Sequence, residues 1–230
     1  MYQYRDVFCF IPARGGSKGV PRKNILRISG NPLITHTIKL AKKVKYFDKI
    51  FVSTEDNEIK KISLEAGAIV VERPKELATD TTNYLDVIKH FLSSNEIEND
   101  PILVLLNAVT PIRNVKDIEN CIELYDQDID CVVSVGEVKI HPAKMFRMKG
   151  NLLHFFFDKA PPGNRQDMET LYFANGSVVI ASSSFLKNQK ESAIGGRMKG
   201  YIMDEKHSLD IDTPFDFKIC KLLMENSASN

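Results

Sequence analysis

Residues 13–24, near the N-terminus, combine glycine with basic residues and contain no acidic residue. Their sequence is ARGGSKGVPRKN, and they follow an apolar run, residues 7–11, which ends at Pro12. Glycine allows a backbone to approach a ligand closely and to turn its N–H groups toward it. Ligands of open α/β sheets bind at the carboxyl ends of strands, where this loop must lie. The pattern predicts a phosphate site, whose cations and glycines are Arg14, Lys18, Arg22, Lys23, Gly15, Gly16 and Gly19.

The loop does not match either of the common phosphate-binding patterns. Neither G-x-x-x-x-G-K-[ST] nor G-x-G-x-x-G occurs in it, which disfavours a P-loop nucleoside triphosphatase and a dinucleotide-dependent oxidoreductase. The alternative for four cations alone is a solvated basic surface loop. The glycines and the position after the first strand favour phosphate over that alternative.

A second candidate site is a pair of carboxylates near the C-terminus, Asp210 and Asp212. Residues 208–212 alternate in polarity and are predicted to form a short strand, on which both carboxylates would face the same side. Hard oxygen ligands of this kind suit Mg²⁺, which also binds phosphate oxygens. The alternative for Asp212 is a helix cap, because Thr213 and Pro214 begin a helical pattern.

Strand and helix patterns alternate through residue 135, and this order predicts an α/β fold with a mostly parallel sheet covered on both faces. The predicted strands are 7–11, 49–53, 68–71, 101–106 and 131–135, and the predicted helices begin near Pro32, Asp56, Asn83 and Val115. A strand at 172–181 and a closing helix from Thr213 to Met224 complete one domain over residues 1–230.

Residues 138–171 interrupt this alternation with irregular, aromatic and basic sequence. We interpret them as an excursion from the sheet. Its aromatic run, residues 155–157, is expected to pack on the host domain or on a partner subunit.

Composition excludes several classes of function. The formal net charge is +1, so no overall basic field favours nucleic acid or an anionic membrane. No apolar run approaches the roughly 20 residues that span a bilayer. The four cysteines lie in apolar segments without zinc-ligand spacing, which indicates reduced core thiols. We therefore predict a cytoplasmic protein without nucleic-acid or membrane partners.

The loop also resembles the opening signature of the acylneuraminate cytidylyltransferases, or CMP-sialic acid synthetases. Related enzymes activate legionaminate, pseudaminate and Kdo. The resemblance continues in order along the chain through VSTED (52–56), RPKELATDT (73–81), His141-Pro142, Arg165-Gln166, Asn175-Gly176 and DID (210–212). It implies a three-layer, Rossmann-like nucleotidyltransferase fold, CTP and an acid sugar as substrates, Mg²⁺ as cofactor, and a homodimer formed through the excursion.

The resemblance also implies roles for individual residues. Arg14, Lys18 and Lys23 bind the triphosphate, and Arg14 and Lys23 act with Asp212 at the reacting α-phosphate. Asn24 helps to hold nucleotide and metal, although alone it is more typical of a turn cap. The metal lies at Asp210 and Asp212. The remaining implied nucleotide contacts are Ala13, Gly15, Gly16, Ser17, Asp80 and Thr81, and the alternative for Asp80, Thr81 and Thr82 is an N-cap cluster.

On the sugar side, the resemblance implies contacts from Arg165 and Gln166, in the family often from the neighbouring subunit, and from Asn175. Two nearby residues depart from the sialic acid enzymes. Asn107 replaces a Gln that reaches the sugar, and Phe173-Ala174 stands where Arg-Pro is usual. These changes predict conserved chemistry with a less polar sugar site, as a legionaminate-like deoxy nonulosonate would require. The alternatives are a Kdo-type synthetase and a nucleotide-binding regulatory protein that has lost catalysis.

Overall fold

The structure, a computed structural model, describes residues 2, 4–95, 97–157, 163 and 168–227. Their strands are β1 (Val7–Pro12), β2 (Arg27–Ile28), β3 (Asn31–Pro32), β4 (Lys49–Thr54), β5 (Ile69–Glu72), β6 (Ile102–Leu106), β7 (Cys131–Glu137), β8 (Phe146–Lys149), β9 (Leu152–Phe155), β10 (Tyr172–Ser182) and β11 (Met198–Ile202). The α-helices are α1 (Leu33–Ala41), α2 (Asn57–Glu65), α3 (Tyr84–Ser94), α4 (Val115–Glu123), α5 (Ser183–Asn188) and α6 (Pro214–Ser227).

Seven strands form the main sheet, in the order β11-β7-β10-β6-β1-β4-β5. Strand β1 pairs in parallel with β4 and β6, β4 with β5, and β7 with β11. Strand β10 alone runs antiparallel to its neighbours, β6 and β7. The prediction of a mostly parallel sheet is confirmed.

Helices cover both faces of this sheet. Alternate residues of β1 point to opposite faces. Cys9 and Ile11 pack with Ile34, Ile38 and residues of α4, whereas Phe8 and Phe10 pack with Phe91 and other residues of α3 and α5. The fold therefore has the three layers that the alternating sequence predicted.

A third, smaller core connects the glycine-rich loop to the C-terminal part of the chain. It contains Val20 from the loop, Ile28 and Leu33, together with Ile211 and Cys220. Because Ile211 stands between Asp210 and Asp212, burial of its side chain holds the acidic segment against the loop. All four cysteines are buried and unpaired, as predicted, and burial raises the pKa of the Cys131 thiol to about 11.

The local signals at α2 are confirmed. Asp56 caps this helix by accepting hydrogen bonds from Glu58 N and Ile59 N, and Gly67 follows its end with φ of 90°. The strand predicted over residues 208–212 is wrong. The backbone of this segment is connected to the loop after β6 by a hydrogen bond from Ile211 N to Val109 O, and it forms no ladder with the described strands. Strand β11 and helix α5 were not predicted.

The excursion contains a two-stranded hairpin, β8–β9, whose side chains are exposed. The rings of Phe146 and Phe155 stack on each other with centroids 5.0 Å apart. The hairpin forms a separate sheet of two strands. Across the described residues, no helix combines the length and apolar character needed to cross a membrane.

Candidate functional site

The glycine-rich loop leaves the carboxyl end of β1 and lies beside the end of β4. Ala13 N donates to Ser53 O, which continues the strand pairing by one residue. Gly15 N donates to Oε1 of Glu55 at 2.8 Å, so this N–H group is engaged within the protein. Gly16 and Lys18 are exposed, and Ser17 is half-buried. The loop therefore presents its middle, rather than its start, to a ligand.

Each loop cation has a carboxylate partner from a distant part of the chain. Arg14 lies 2.8 Å and Lys18 3.1 Å from the two carboxylate oxygens of Asp80. These two cations hold the pKa of Asp80 below its ordinary value. The loop sequence contains no acidic residue, but in the fold carboxylates from other segments compensate its positive charge.

Arg22 differs from the other cations because two carboxylates hold it. It pairs with Asp56 and, at 2.6 Å, with Glu58, and these contacts raise its pKa. Both acids belong to the first turn of α2, so Arg22 fixes the end of the loop to this helix. The geometry gives Arg22 a structural role.

Lys23 connects the loop to the acidic segment. Its Nζ donates to Ile211 O and lies 3.4 Å from Oδ1 of Asp212. Gly19 touches the same segment, because a Cβ at this position would overlap the carbonyl oxygen of Asp212. The structure thus brings together Lys23 and Asp212, which the sequence assigned to one site.

The two predicted metal ligands occupy different environments. The Asp212 side chain is 77% exposed. Oδ1 of Asp210 is buried and has no hydrogen-bond partner among the residues that the structure describes. Burial, followed by the nearby charge of Asp212, raises the pKa of Asp210 to about 6. An unpartnered buried carboxylate oxygen beside an exposed carboxylate fits a divalent cation, which would supply the missing partner.

The alternative role of Asp212 as a helix cap is wrong. Thr213 caps α6, because its Oγ1 accepts from Asp216 N at 3.2 Å. Asp216 in turn accepts from Thr213 N at 2.7 Å, which completes a capping box. The Asp212 carboxylate is therefore not required for the cap.

A small polar cavity of about 240 Å³ lies beside the loop. Arg14, Asp80 and Asn107 line it, together with Arg73 and Tyr84, to which the sequence analysis gave no role. Arg73 was visible only as the first residue of RPKELATDT. Its side chain is 4% exposed and pairs with Glu55 at 3.2 Å, while its Nε has no partner. Glu55 thus connects Arg73 to the Gly15 backbone.

The segment before α3 differs from the predicted cap cluster. Asn83 caps the helix by accepting from Leu85 N, and Asp80 binds loop cations instead. Thr81 and Thr82 form a hydroxyl cluster with Thr79. Asn24 does not act as a turn cap; its Nδ2 donates to Arg14 O at 2.9 Å and connects the end of the loop to its start.

A larger cavity of about 1190 Å³ opens on the other side of Asp210. Its wall is mostly apolar and includes Phe173, whose ring lies over Gly136. A Cβ on Gly136 would come within 2.9 Å of that ring, so the ring can pack here only because residue 136 is glycine. Phe173 and Asp210 therefore face one cavity, whereas Asn107 lines the smaller one.

The other predicted sugar contacts are distributed unevenly. Asn175 is 4% exposed, and its amide is engaged with Ser134, Ser177 N and Ser208. Arg165 and Gln166 lie outside the described residues.

Comparison with solved structures shows that other proteins share this fold. The chain superposes on the structure of CMP:2-keto-3-deoxy-manno-octonic acid synthetase complexed with CTP with a TM-score of 0.73, covering 96% of this chain and 99% of that one at 18% identity. The similarity defines the class of fold. A sequence profile of the Cytidylyltransferase family matches residues 8–225, and the chain belongs to this family.

Two relatives narrow the comparison. The N-acylneuraminate cytidylyltransferase of Streptococcus agalactiae serotype V is 40% identical over 213 residues, which are 91% of this chain and 51% of that protein. The chain thus spans about half the length of this relative. CMP-N,N'-diacetyllegionaminic acid synthase of Legionella pneumophila is 31% identical over 232 residues, covering 95% of this chain and 96% of that protein. The family resemblance predicted from the motifs is confirmed.

The raised pKa of Asp210 predicts a pH-dependent gain in stability for Asp210→Asn. Ionisation of Asp210 costs native stability above pH 6, whereas near pH 4 the carboxyl is largely protonated in the folded chain and the cost fades. In EDTA, we expect the variant to melt about 2–4 °C higher than the wild type at pH 8, with little difference at pH 4. Calorimetry measures both.

Asp128→Asn is the matched control, because Asp128 is exposed and remote from the site. An equal shift for Asp210→Asn at both pH values, or no shift at pH 8, would contradict the assigned cause.

Proposed function

We propose that this chain transfers the cytidylyl group of CTP to the anomeric hydroxyl of a nonulosonic acid and releases pyrophosphate. The observation that carries the proposal is the contact of Lys23 and Gly19 with Asp212, which brings the loop that carries Arg14 and Lys18 against the acidic segment with Asp210. The relatives named for N-acylneuraminate and diacetyllegionaminic acid support the acid sugar. Unpaired buried thiols are compatible with the reducing cytoplasm, where we place the reaction.

In the proposed reaction, the sugar hydroxyl oxygen forms a bond to the α-phosphorus of CTP. The bond from that phosphorus to the bridging oxygen of pyrophosphate breaks, and the hydroxyl loses its proton. Arg14, Lys18 and Lys23 stabilise the negative charge on the phosphate oxygens. Asp210 is one candidate acceptor for the proton, and a water molecule at the acidic segment is the other.

We also propose that Asp210 and Asp212 hold Mg²⁺. Within the described part of the chain, no group of three or more His, Cys, Asp or Glu residues could hold a metal. The two carboxylates therefore need triphosphate oxygens and water as the remaining ligands, a pattern that is typical of Mg²⁺. When bound, the ion would neutralise phosphate charge. The unpartnered Oδ1 of Asp210 supports this assignment.

The first experiment measures pyrophosphate release with CTP, Mg²⁺ and a panel of N-acetylneuraminate, legionaminate, pseudaminate and Kdo. We expect turnover of at least one sugar in the wild type. Lys23→Met should lower kcat/KM for CTP about 100-fold or more, because it removes a cation beside the reacting phosphate.

Lys43→Met is the control for this variant, since Lys43 is exposed and distant from the loop. CTP binding without turnover of any sugar would contradict the proposed reaction and favour a nucleotide-binding regulatory protein. Turnover confined to Kdo would favour the Kdo-type alternative, for which the structural neighbour supports only the shared fold.

We further propose that the sugar is a deoxy nonulosonate such as legionaminate. Phe173 places an apolar ring in the cavity that ends at Asp210, and the other lining residues there include Val138, Ile140 and Leu209. A methyl group would pack against such a wall, whereas a polyhydroxylated side chain would leave hydroxyls unpaired.

Phe173→Arg is expected to reduce the ratio of kcat/KM for legionaminate over that for N-acetylneuraminate by about 10-fold or more. Phe173→Leu keeps the wall apolar and should change the ratio little. Competition assays with both sugars measure the effect, and an unchanged ratio in Phe173→Arg would remove Phe173 from sugar selection.

The exposed hairpin supports a homodimer. On one face of the hairpin, strands β8 and β9 present four exposed apolar side chains, namely Phe146, Met148, Leu153 and Phe155, and Leu152 is exposed on the other face. Contiguous apolar surface of this kind marks interaction sites, and we propose a second copy of the chain as its occupant.

Sedimentation velocity should show a dimer for the wild type and a monomer for the double variant Met148→Lys, Leu153→Lys, whose two positions pair on the apolar face. Leu64→Lys is the control, because Leu64 is equally exposed but lies on α2. A dimer that survives the double substitution would place the interface elsewhere.

A further inference from the structure

Strand β10 is irregular next to the candidate site. Its register against β7 shifts between Ala174 and Val179, and Gly176 adopts a left-handed φ of 68°. Carbonyl groups in such a bulge leave the regular ladder and need other donors. Asn107 Nδ2 donates to Gly176 O at 2.7 Å, and Arg113 Nη1 donates to Ser177 O at 2.5 Å.

Arg113 is the centre of this arrangement. Its side chain is buried, and burial lowers its pKa to about 10, so it remains charged at neutral pH. Besides Ser177 O, it donates to Asn107 O at 2.6 Å and to the hydroxyls of Thr110 at 2.7 Å and Thr37 at 3.2 Å. One guanidinium therefore joins the loop after β6, the β10 bulge and helix α1.

A buried cation is costly unless its surroundings compensate it. Here the acceptors are neutral carbonyl and hydroxyl oxygens rather than a carboxylate in an ion pair. Apolar residues would fill the same volume without the cost of desolvating a charge. The retained charge is explained if the fork geometry of arginine is needed to hold two carbonyls at fixed positions.

Two sets of contacts connect these carbonyl groups to the candidate site. Asn107, held at both its main chain and its amide, lines the small cavity beside Arg14. Asn175, in the same bulge, donates to Ser208 Oγ at 2.8 Å, and Ser208 lines the larger cavity with Asp210. Phe173 precedes this bulge directly along β10.

We infer that Arg113 is a positioning residue that fixes the β10 bulge and Asn107, and thereby the sugar side of the site, relative to the phosphate loop. The inference rests on the proposed function. Arg113 acts through Asn107 and the bulge, so its loss should affect the acid sugar more than CTP. Arg113 holds these parts in place relative to helix α1 through the side chain of Thr37, which is buried.

The test measures kcat and separate KM values for CTP and for the sugar that the wild type turns over best. Arg113→Lys keeps the charge but cannot donate to four acceptors at once. We expect its KM for the sugar to rise about 10-fold, with the KM for CTP changed less than about 3-fold. Thr37→Val removes only the α1 acceptor and should raise the sugar KM by about 2–3-fold.

Arg27→Lys, at an exposed position, is the control for the substitution itself. A merely structural role would lower the melting temperature of Arg113→Lys and leave both KM values unchanged, which would overturn the inference, as would an equal rise of both. If Arg113→Lys does not fold, the KM values of Thr37→Val decide. Absence of pyrophosphate release by the wild type would instead overturn the proposed function on which the inference rests.

Discussion

Charge balance around the glycine-rich loop is the constraint on which the site depends. Several cations lie close together there, and like charges this near to one another would repel in the absence of a ligand. Carboxylates from three other segments compensate them, one group before α3, one in the first turn of α2 and one before α6. The loop is therefore held in place by the same charges to which we assign the binding of a polyphosphate.

The compensating ion pairs are not equivalent. Arg22 is held by two acids and anchors the loop, whereas Arg14 and Lys18 share the single carboxylate of Asp80. Exposed pairs contribute little stability, so the proposed binding of a triphosphate in place of Asp80 would cost little. Lys23 is more enclosed, with 11% of its side chain exposed, and it keeps contact with the acidic segment through Ile211 O. The loop thus has a fixed part, at Arg22 and Lys23, and a part at Arg14 and Lys18 whose carboxylate partner is more easily replaced.

Much of the fold could be predicted because its signals are local. Buried strands such as β1 and β6 appear as apolar runs, and Asp56 stands directly before the helix that it caps. Strand β11 could not be predicted, because it lies at the edge of the sheet with exposed and half-buried residues and its sequence shows no apolar run. The family motifs correctly predicted that Asp210 and Asp212 lie near the loop, but the predicted strand conformation of this segment was wrong. Alternation over five residues does not distinguish a strand from an extended segment that has no partner.

The least predictable feature of the candidate site is its division into two cavities. Arg14, Arg73 and Asn107 line a small polar cavity, whereas Phe173 belongs to a large apolar one, and Asp210 lies at the end of the latter. The β10 bulge is connected to residues that line both cavities. It is held by hydrogen bonds that no sequence pattern predicts. The cations belong to the loop after β1, whereas the apolar wall includes residues of β7 and β10. Substitutions on that wall therefore leave the loop charges in place, as our proposal of an altered sugar choice with conserved nucleotide chemistry requires.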